Sequence, residues 1–233
     1  MPLIPRANPL IIKPSEMDSC VIFLHGLTTS GLHFQSVATH LASQLPHTQF
    51  ILPHAPVRYN TWAGQAVSSW YDLLGNDFLV KEDASGIQSA VKYVHQLIDE
   101  QIAQGISSQR IFLGGFSQGC AISLLAGTSY DKPLGGIIGL SGYLPLANQW
   151  QDNGFYTPIL WLHGSQDSLI TLAQIEQGKM LLAQHRDFTF QTYPIEHQVT
   201  LLEVDVMGKW IQKNLNKKYK NNLHQNGESP ACA

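Results

Sequence analysis

Gly115-Phe116-Ser117-Gln118-Gly119 sets a serine between two glycines, each two residues away. The run Ile111–Leu113 before it is apolar and β-branched or aromatic, and the segment after it has helical composition. A serine on so sharp a strand-to-helix turn is held out from the backbone, and side chains larger than hydrogen at 115 and 119 would collide with strand and helix. The helix that opens at Gln118 turns free N–H groups and its positive dipole end toward any oxyanion formed beside the serine. That is the chemistry of nucleophilic acyl transfer. A serine hydroxyl is a poor nucleophile at neutral pH, so a histidine base and an acid that orients it are required.

On such a framework the order along the chain is serine, acid, histidine, each following a later strand. Asp167 stands fifty residues beyond Ser117, on the loop after the apolar run Ile159–Leu162. Asp152 is the rival acid, in a Gln/Asp/Asn-Gly loop with no strand before it. Of the ten histidines, His197 alone falls between the last strand, Phe188–Tyr193, and the last helix. His185 reads as a helix-end cation, His224 belongs to the C-terminal tail, and His25 and His163, each before a glycine at a strand end, read as loop-shaping. The loop His25-Gly26-Leu27-Thr28-Thr29-Ser30-Gly31 follows the first central strand. There the amide of Leu27 is the natural second oxyanion donor beside that of Gln118. No spacing of histidines and cysteines makes a metal cage; His33 and His40 are seven apart with no third partner nearby, so neither metal nor cofactor is expected.

These side chains need a scaffold that brings distant loops together, and the sequence supplies one. Short apolar runs, Val21–Leu24, Gln49–Leu52, Arg110–Leu113, Gly136–Leu140, Ile159–Leu162 and Phe188–Tyr193, alternate with helical patterns. Runs that are apolar throughout suit a parallel sheet covered on both faces. Ile87, Val91, Val94, Ile98 and Ile102 form one helical stripe ending near Gly105, and Val199, Leu202, Val206 and Trp210 another. Gln118 to Gly127 is apolar nearly all round, as a helix buried under the sheet would be. The fold class is therefore α/β: a mostly parallel central sheet with helices on both faces. One domain over residues 1–215 is expected, followed by a polar, frayed tail over 216–233.

Composition narrows the partners. With 233 residues and a net charge of −3, the chain has no basic field for nucleic acid. No apolar run reaches the ~18 residues of a membrane span, and Met1 to Lys13 lacks the continuous core of a signal peptide. Three cysteines, Cys20, Cys120 and Cys232, are too few and too odd for a disulfide framework. A cytoplasmic protein is expected. Lys209, Lys213, Lys217, Lys218 and Lys220 gather near the C-terminus; they suit a helix end and solvated tail, and leave open a transient contact with a lipid surface.

Phe23-Leu-His-Gly-Leu27, Ser69-Trp-Tyr-Asp72, Gly114-Gly-Phe-Ser-Gln-Gly119, Leu140-Ser-Gly-Tyr-Leu-Pro145 and His163-Gly-Ser-Gln-Asp167 occur in this order. Over residues 8–215 the chain thereby resembles the acyl-protein thioesterase / lysophospholipase-like carboxylesterases, compact α/β-hydrolases with little or no lid. The resemblance implies hydrolysis of small-molecule or acyl-chain esters and thioesters by Ser117, His197 and Asp167 through an acyl-enzyme. It also implies an apolar groove lined in part by Trp70, and homodimers. Detoxification of short soluble esters is a second substrate class for the same triad, and a non-catalytic binding module on this fold is the alternative function. The chain departs from the family pattern at Thr28-Thr29, where Gly-Asp is usual, at Glu196, where glycine precedes the histidine, and at Cys120, where a second glycine is common. Glu196 is expected in solvent and Cys120 in the core.

Overall fold

The computed structural model describes residues 7–75, 79–151, 153–184 and 187–225, the last eight by their backbone alone. In chain order the elements are β1 (Leu10–Ile12), β2 (Ser19–Leu24), α1 (Gln35–Gln44), β3 (Thr48–Leu52), β4 (Val57–Asn60), β5 (Gln65–Ser68) and α2 (Ala84–Ala103). Then follow β6 (Ile111–Phe116), α3 (Gln118–Ser129), β7 (Gly136–Leu140), β8 (Ile159–Gly164), α4 (Leu172–Leu182), β9 (Phe188–Tyr193) and α5 (Leu201–Gln225). The six apolar runs are β2, β3, β6, β7, β8 and β9. With β1 they form one sheet in the order β1-β3-β2-β6-β7-β8-β9, parallel throughout except for β1, which runs against β3. The α/β-hydrolase architecture is present.

Strand residues alternate between two cores because side chains repeat every second residue. Cys20, Ile22 and Leu24 face a core with Ile87, Val94 and Ile98 of α2, Cys120, Ile122 and Leu124 of α3, and Ile175 of α4. Val21 and Phe23 face the other, with Ala38 and Leu41 of α1 and Val204, Met207 and Ile211 of α5. Each such aliphatic side chain, fully withdrawn from water, contributes roughly 1.5–3 kcal/mol. Helix α2 is capped by Asp83, whose carboxylate accepts the Gly86 amide, and α3 is buried from Gln118 to Thr128.

The last helix corrects the sequence in two respects. Its buried stripe is Val204, Met207 and Ile211, while Leu202 is 60% exposed. The helix has turned so that Glu203 lies inward, where its carboxylate accepts the Thr200 amide and hydroxyl at the helix start. The change of composition after Leu215 does not end it, since it continues to Gln225; the rest of the expected tail, 226–233, lies outside the described residues. Lys217 reaches Asp187 at 3.4 Å, and the side chains of Lys218 and Lys220 are outside the description.

The register carries the functional consequence. Phe116 pairs with Leu140, so β6 and β7 end level, while β8 runs on past Leu162, the partner of Leu140, to Gly164, which pairs with Tyr193 at the end of β9. The loops after β2, β6, β8 and β9 therefore emerge along one rim.

Candidate active site

One residue, Ser117, separates β6 from α3. Its φ of 55° and ψ of −119° are rare for any residue but glycine. The strained turn is held by its amide, which donates to the Leu140 carbonyl at 2.9 Å, and by its carbonyl, which accepts from Ala121 at 3.1 Å. A Cβ at 115 would lie 2.3 Å from the Gly119 carbonyl oxygen, and one at 119 would lie 2.3 Å from that of Leu24. Both glycines are therefore required by backbone packing. Cys120, in the first turn of α3, is fully buried, and burial pushes its thiol far above the ordinary range. It is a core residue, as expected.

Asp167 and His197 meet this serine. The His197 Nε2 lies 2.9 Å from Ser117 Oγ and its Nδ1 lies 2.7 Å from Asp167 Oδ2, with the ring packed against Phe116 at 4.8 Å. The other carboxylate oxygen of Asp167 accepts the amides of Leu169 and Ile170, both at 2.9 Å. Burial raises the Asp167 pKa, but the hydrogen bonds from His197 and these amides outweigh it and hold the carboxyl below the usual range. An ionised acid at Nδ1 fixes the tautomer that leaves Nε2 free to accept the serine proton.

The other candidates fall elsewhere. Asp152 and His185 lie outside the described residues, as does the side chain of His224. His25 is fully buried. Its Nε2 accepts the Ala55 amide at 3.0 Å, so the proton sits on Nδ1 and is donated to the Gly26 carbonyl at 2.7 Å. Burial lowers its pKa to about 4. His163 donates from Nε2 to the Ile170 carbonyl at 2.8 Å, 3.7 Å from Asp167, and burial lowers its pKa too. Both shape loops, as read from the sequence. Glu196 is exposed. Among the described residues no group of three or more metal-ligating side chains is gathered, and no helix is long and apolar enough to cross a membrane.

Beside Ser117 opens a cavity of about 380 Å³, walled by Trp62, Leu73, Phe116 and Ile170 and bordered by Leu27 and Gln118. Among the described residues neither the Leu27 nor the Gln118 amide has an acceptor of its own. Trp70 corrects an expectation. It is 1% exposed and sits behind the cavity, its indole N–H donating to the His25 carbonyl at 2.8 Å. Its neighbour Tyr71 lines the cavity instead, hydroxyl to hydroxyl with Tyr143 at 2.6 Å. Trp62, at the turn of the β4–β5 hairpin, is a wall residue that the motifs do not reach; its signal is a large aromatic within the short turn Thr61-Trp-Ala-Gly64. The loop after β2 turns at Thr28, whose φ is +66° and whose amide donates to the Ser68 carbonyl at 2.9 Å. The Thr29 hydroxyl donates to the Gly26 carbonyl at 2.9 Å.

A phospholipase/carboxylesterase family model matches residues 7–215. Acyl-protein thioesterase 1 of Gibberella zeae is 35% identical over 233 aligned positions, covering 91% of this chain and 98% of that protein. The carboxylesterase SOBER1 of Arabidopsis thaliana is 33% identical over 84% of this chain and 90% of its own length. The crystal structure of SOBER1 superposes with a TM-score of 0.77 at 30% identity, covering 84% of this chain and 99% of that one.

Proposed function

Because the chain belongs to the phospholipase/carboxylesterase family and is a carboxylic-ester hydrolase, we propose that it cleaves acyl esters and thioesters through a Ser117–His197–Asp167 triad and an acyl-enzyme. The observation that carries this reading is the unbroken hydrogen-bonded line from Asp167 through His197 to Ser117. Ser117 Oγ attacks the carbonyl carbon as its proton passes to His197 Nε2. The negative oxygen of the tetrahedral intermediate accepts from the amides of Leu27 and Gln118, each such donor contributing ~3 kcal/mol to the transition state. The imidazolium, stabilised by Asp167, gives its proton to the departing alcohol or thiol. Water then attacks the acyl-serine as His197 takes its proton, and His197 returns that proton to Ser117 Oγ as the carboxylic acid leaves.

The apolar wall of Trp62, Leu73, Phe116 and Ile170 suits a hydrocarbon acyl chain. Acyl-protein thioesters and lysophospholipids are the substrate classes proposed, with short soluble esters the second class. Rates across a series of p-nitrophenyl and thioester substrates of rising chain length decide between them. A cytoplasmic location, supported by the free buried thiols of Cys20 and Cys120, homodimerisation and transient lipid contact complete the proposal. Light scattering and vesicle co-sedimentation test the last two. Ser117→Ala should lower turnover on a p-nitrophenyl ester by about four orders of magnitude or more. Turnover near that of the parent, or a folded parent that a fluorophosphonate fails to label at Ser117, would refute the triad.

A further inference from the structure

Four described residues other than glycine have positive φ: Thr28, Ser117, Ser141 and Leu146. Thr28 is the one that is both β-branched and solvent-exposed. Left-handed backbone is visited routinely by glycine, less by asparagine and aspartate, and least by residues with a branched Cβ. Thr28 is kept there by its neighbours: its amide is committed to Ser68 on β5, and the next residue's hydroxyl is committed to Gly26. Strain of this kind persists where surrounding contacts over-determine it, and it concentrates at sites of function.

Thr28 also lines the cavity, one peptide from the Leu27 amide. His197 must reach the departing atom, so the alcohol or thiol lies on the His197 side, with Leu169 and Ile170. The acyl group then takes the rest of the cavity, whose lining includes Thr28, Trp62, Tyr71 and Leu73. The carbon next to the carbonyl is the first part of the acyl group to pass the oxyanion loop.

Resting on the triad reading above, we propose that Thr28 determines acyl specificity: its branched side chain, fixed in a strained conformation beside the oxyanion amides, fills the space next to the acyl α-carbon. Straight-chain acyl groups are accepted and α-branched ones are refused.

The test compares p-nitrophenyl butyrate with p-nitrophenyl isobutyrate, which hold the same number of carbons, on the full chain. Thr28→Gly should reduce the straight-to-branched ratio of kcat/KM by about tenfold, the range a methyl-sized change in a pocket produces. Its Tm should rise by about 2–4 °C as the strain is released. Thr28→Ala keeps a Cβ but loses the branch; it should relax the ratio similarly with a smaller gain in Tm, and it carries the test should the glycine variant be inactive. Ratios within twofold of the parent in both variants overturn the assignment, and a lower Tm in Thr28→Gly overturns the strain. Ser117→Ala runs in parallel. If it retains turnover the triad reading has failed; if it is inactive and both ratios stay unchanged, only the role of Thr28 has failed.

Discussion

Gln118 borders the cavity, its main-chain amide has no acceptor among the described residues, and its side chain is committed elsewhere. Its Oε1 accepts the Trp70 amide at 2.8 Å and its Nε2 donates to the Tyr71 carbonyl at 2.8 Å, bracing the segment after the hairpin against the elbow. Truncation leaves the Trp70 amide buried and unpaired, at roughly 1–3 kcal/mol, while the Tyr71 carbonyl keeps the Ser69 hydroxyl and the Asn60 side-chain amide as donors. Gln118→Ala should therefore lower the unfolding free energy in urea by about 1–3 kcal/mol and reduce kcat, although its main-chain amide survives; Leu27→Ala, on a partly exposed loop, should do much less. A second substitution probes the acid. Asp167→Asn replaces an acceptor at His197 Nδ1 with a group that can donate, which favours the wrong tautomer, and kcat should fall about 10⁴-fold with little change in Tm. Residue types made Ser117, Asp167 and His197 legible, because each demands a specific place relative to a strand. They could not say which way an aromatic points: Trp70 proved a buried strut and Trp62 a cavity wall, and neither identity nor spacing separates the two.

The elbow shows how elements constrain one another. A methyl at 119 would strike the last carbonyls of β2, so α3 can reach under the sheet only with hydrogen there. Gly119→Ala should cost about 3 kcal/mol or more, read as a lower urea midpoint, since the obstacle is backbone and cannot move aside. The doubly covered strands were legible because burial on both faces forces unbroken apolar runs. Less covered elements were not. The β4–β5 hairpin reads Val-Arg-Tyr-Asn and Gln-Ala-Val-Ser, half exposed, with no run to detect. Strand β1 has three residues, and α1 buries only Ala38 and Leu41. In α5 two apolar stripes competed, and the one with Met207 and Ile211 won because it meets Leu41 and Phe50 across the sheet's second face.

Across the whole molecule, buried neutral imidazoles make stability depend on pH. Burial lowers the His25 pKa to about 4 from 6.5 in an exposed chain. The unfolded state therefore binds more protons between those values, and stability falls as pH drops from about 6.5 toward 4, by on the order of 3 kcal/mol for this group. His163 acts in the same direction, whereas Glu82 and Glu203, whose carboxyls burial raises, oppose it. Urea titrations at pH 7 and 4.5 should show a loss that shrinks in His25→Asn, which can still donate to Gly26 but has no counterpart to Nε2; an unchanged difference would count against the buried neutral ring. Ser117 rises from β6, in the middle of the sheet, whereas His197 follows β9, its outermost strand. Margins of a sheet loosen before its centre. On warming, His197 should thus drift off while Ser117 keeps its seat, so on the proposed triad the protein goes silent before it melts: hydrolysis should cease several degrees below the loss of far-ultraviolet dichroism, and cooling from that interval should bring it back.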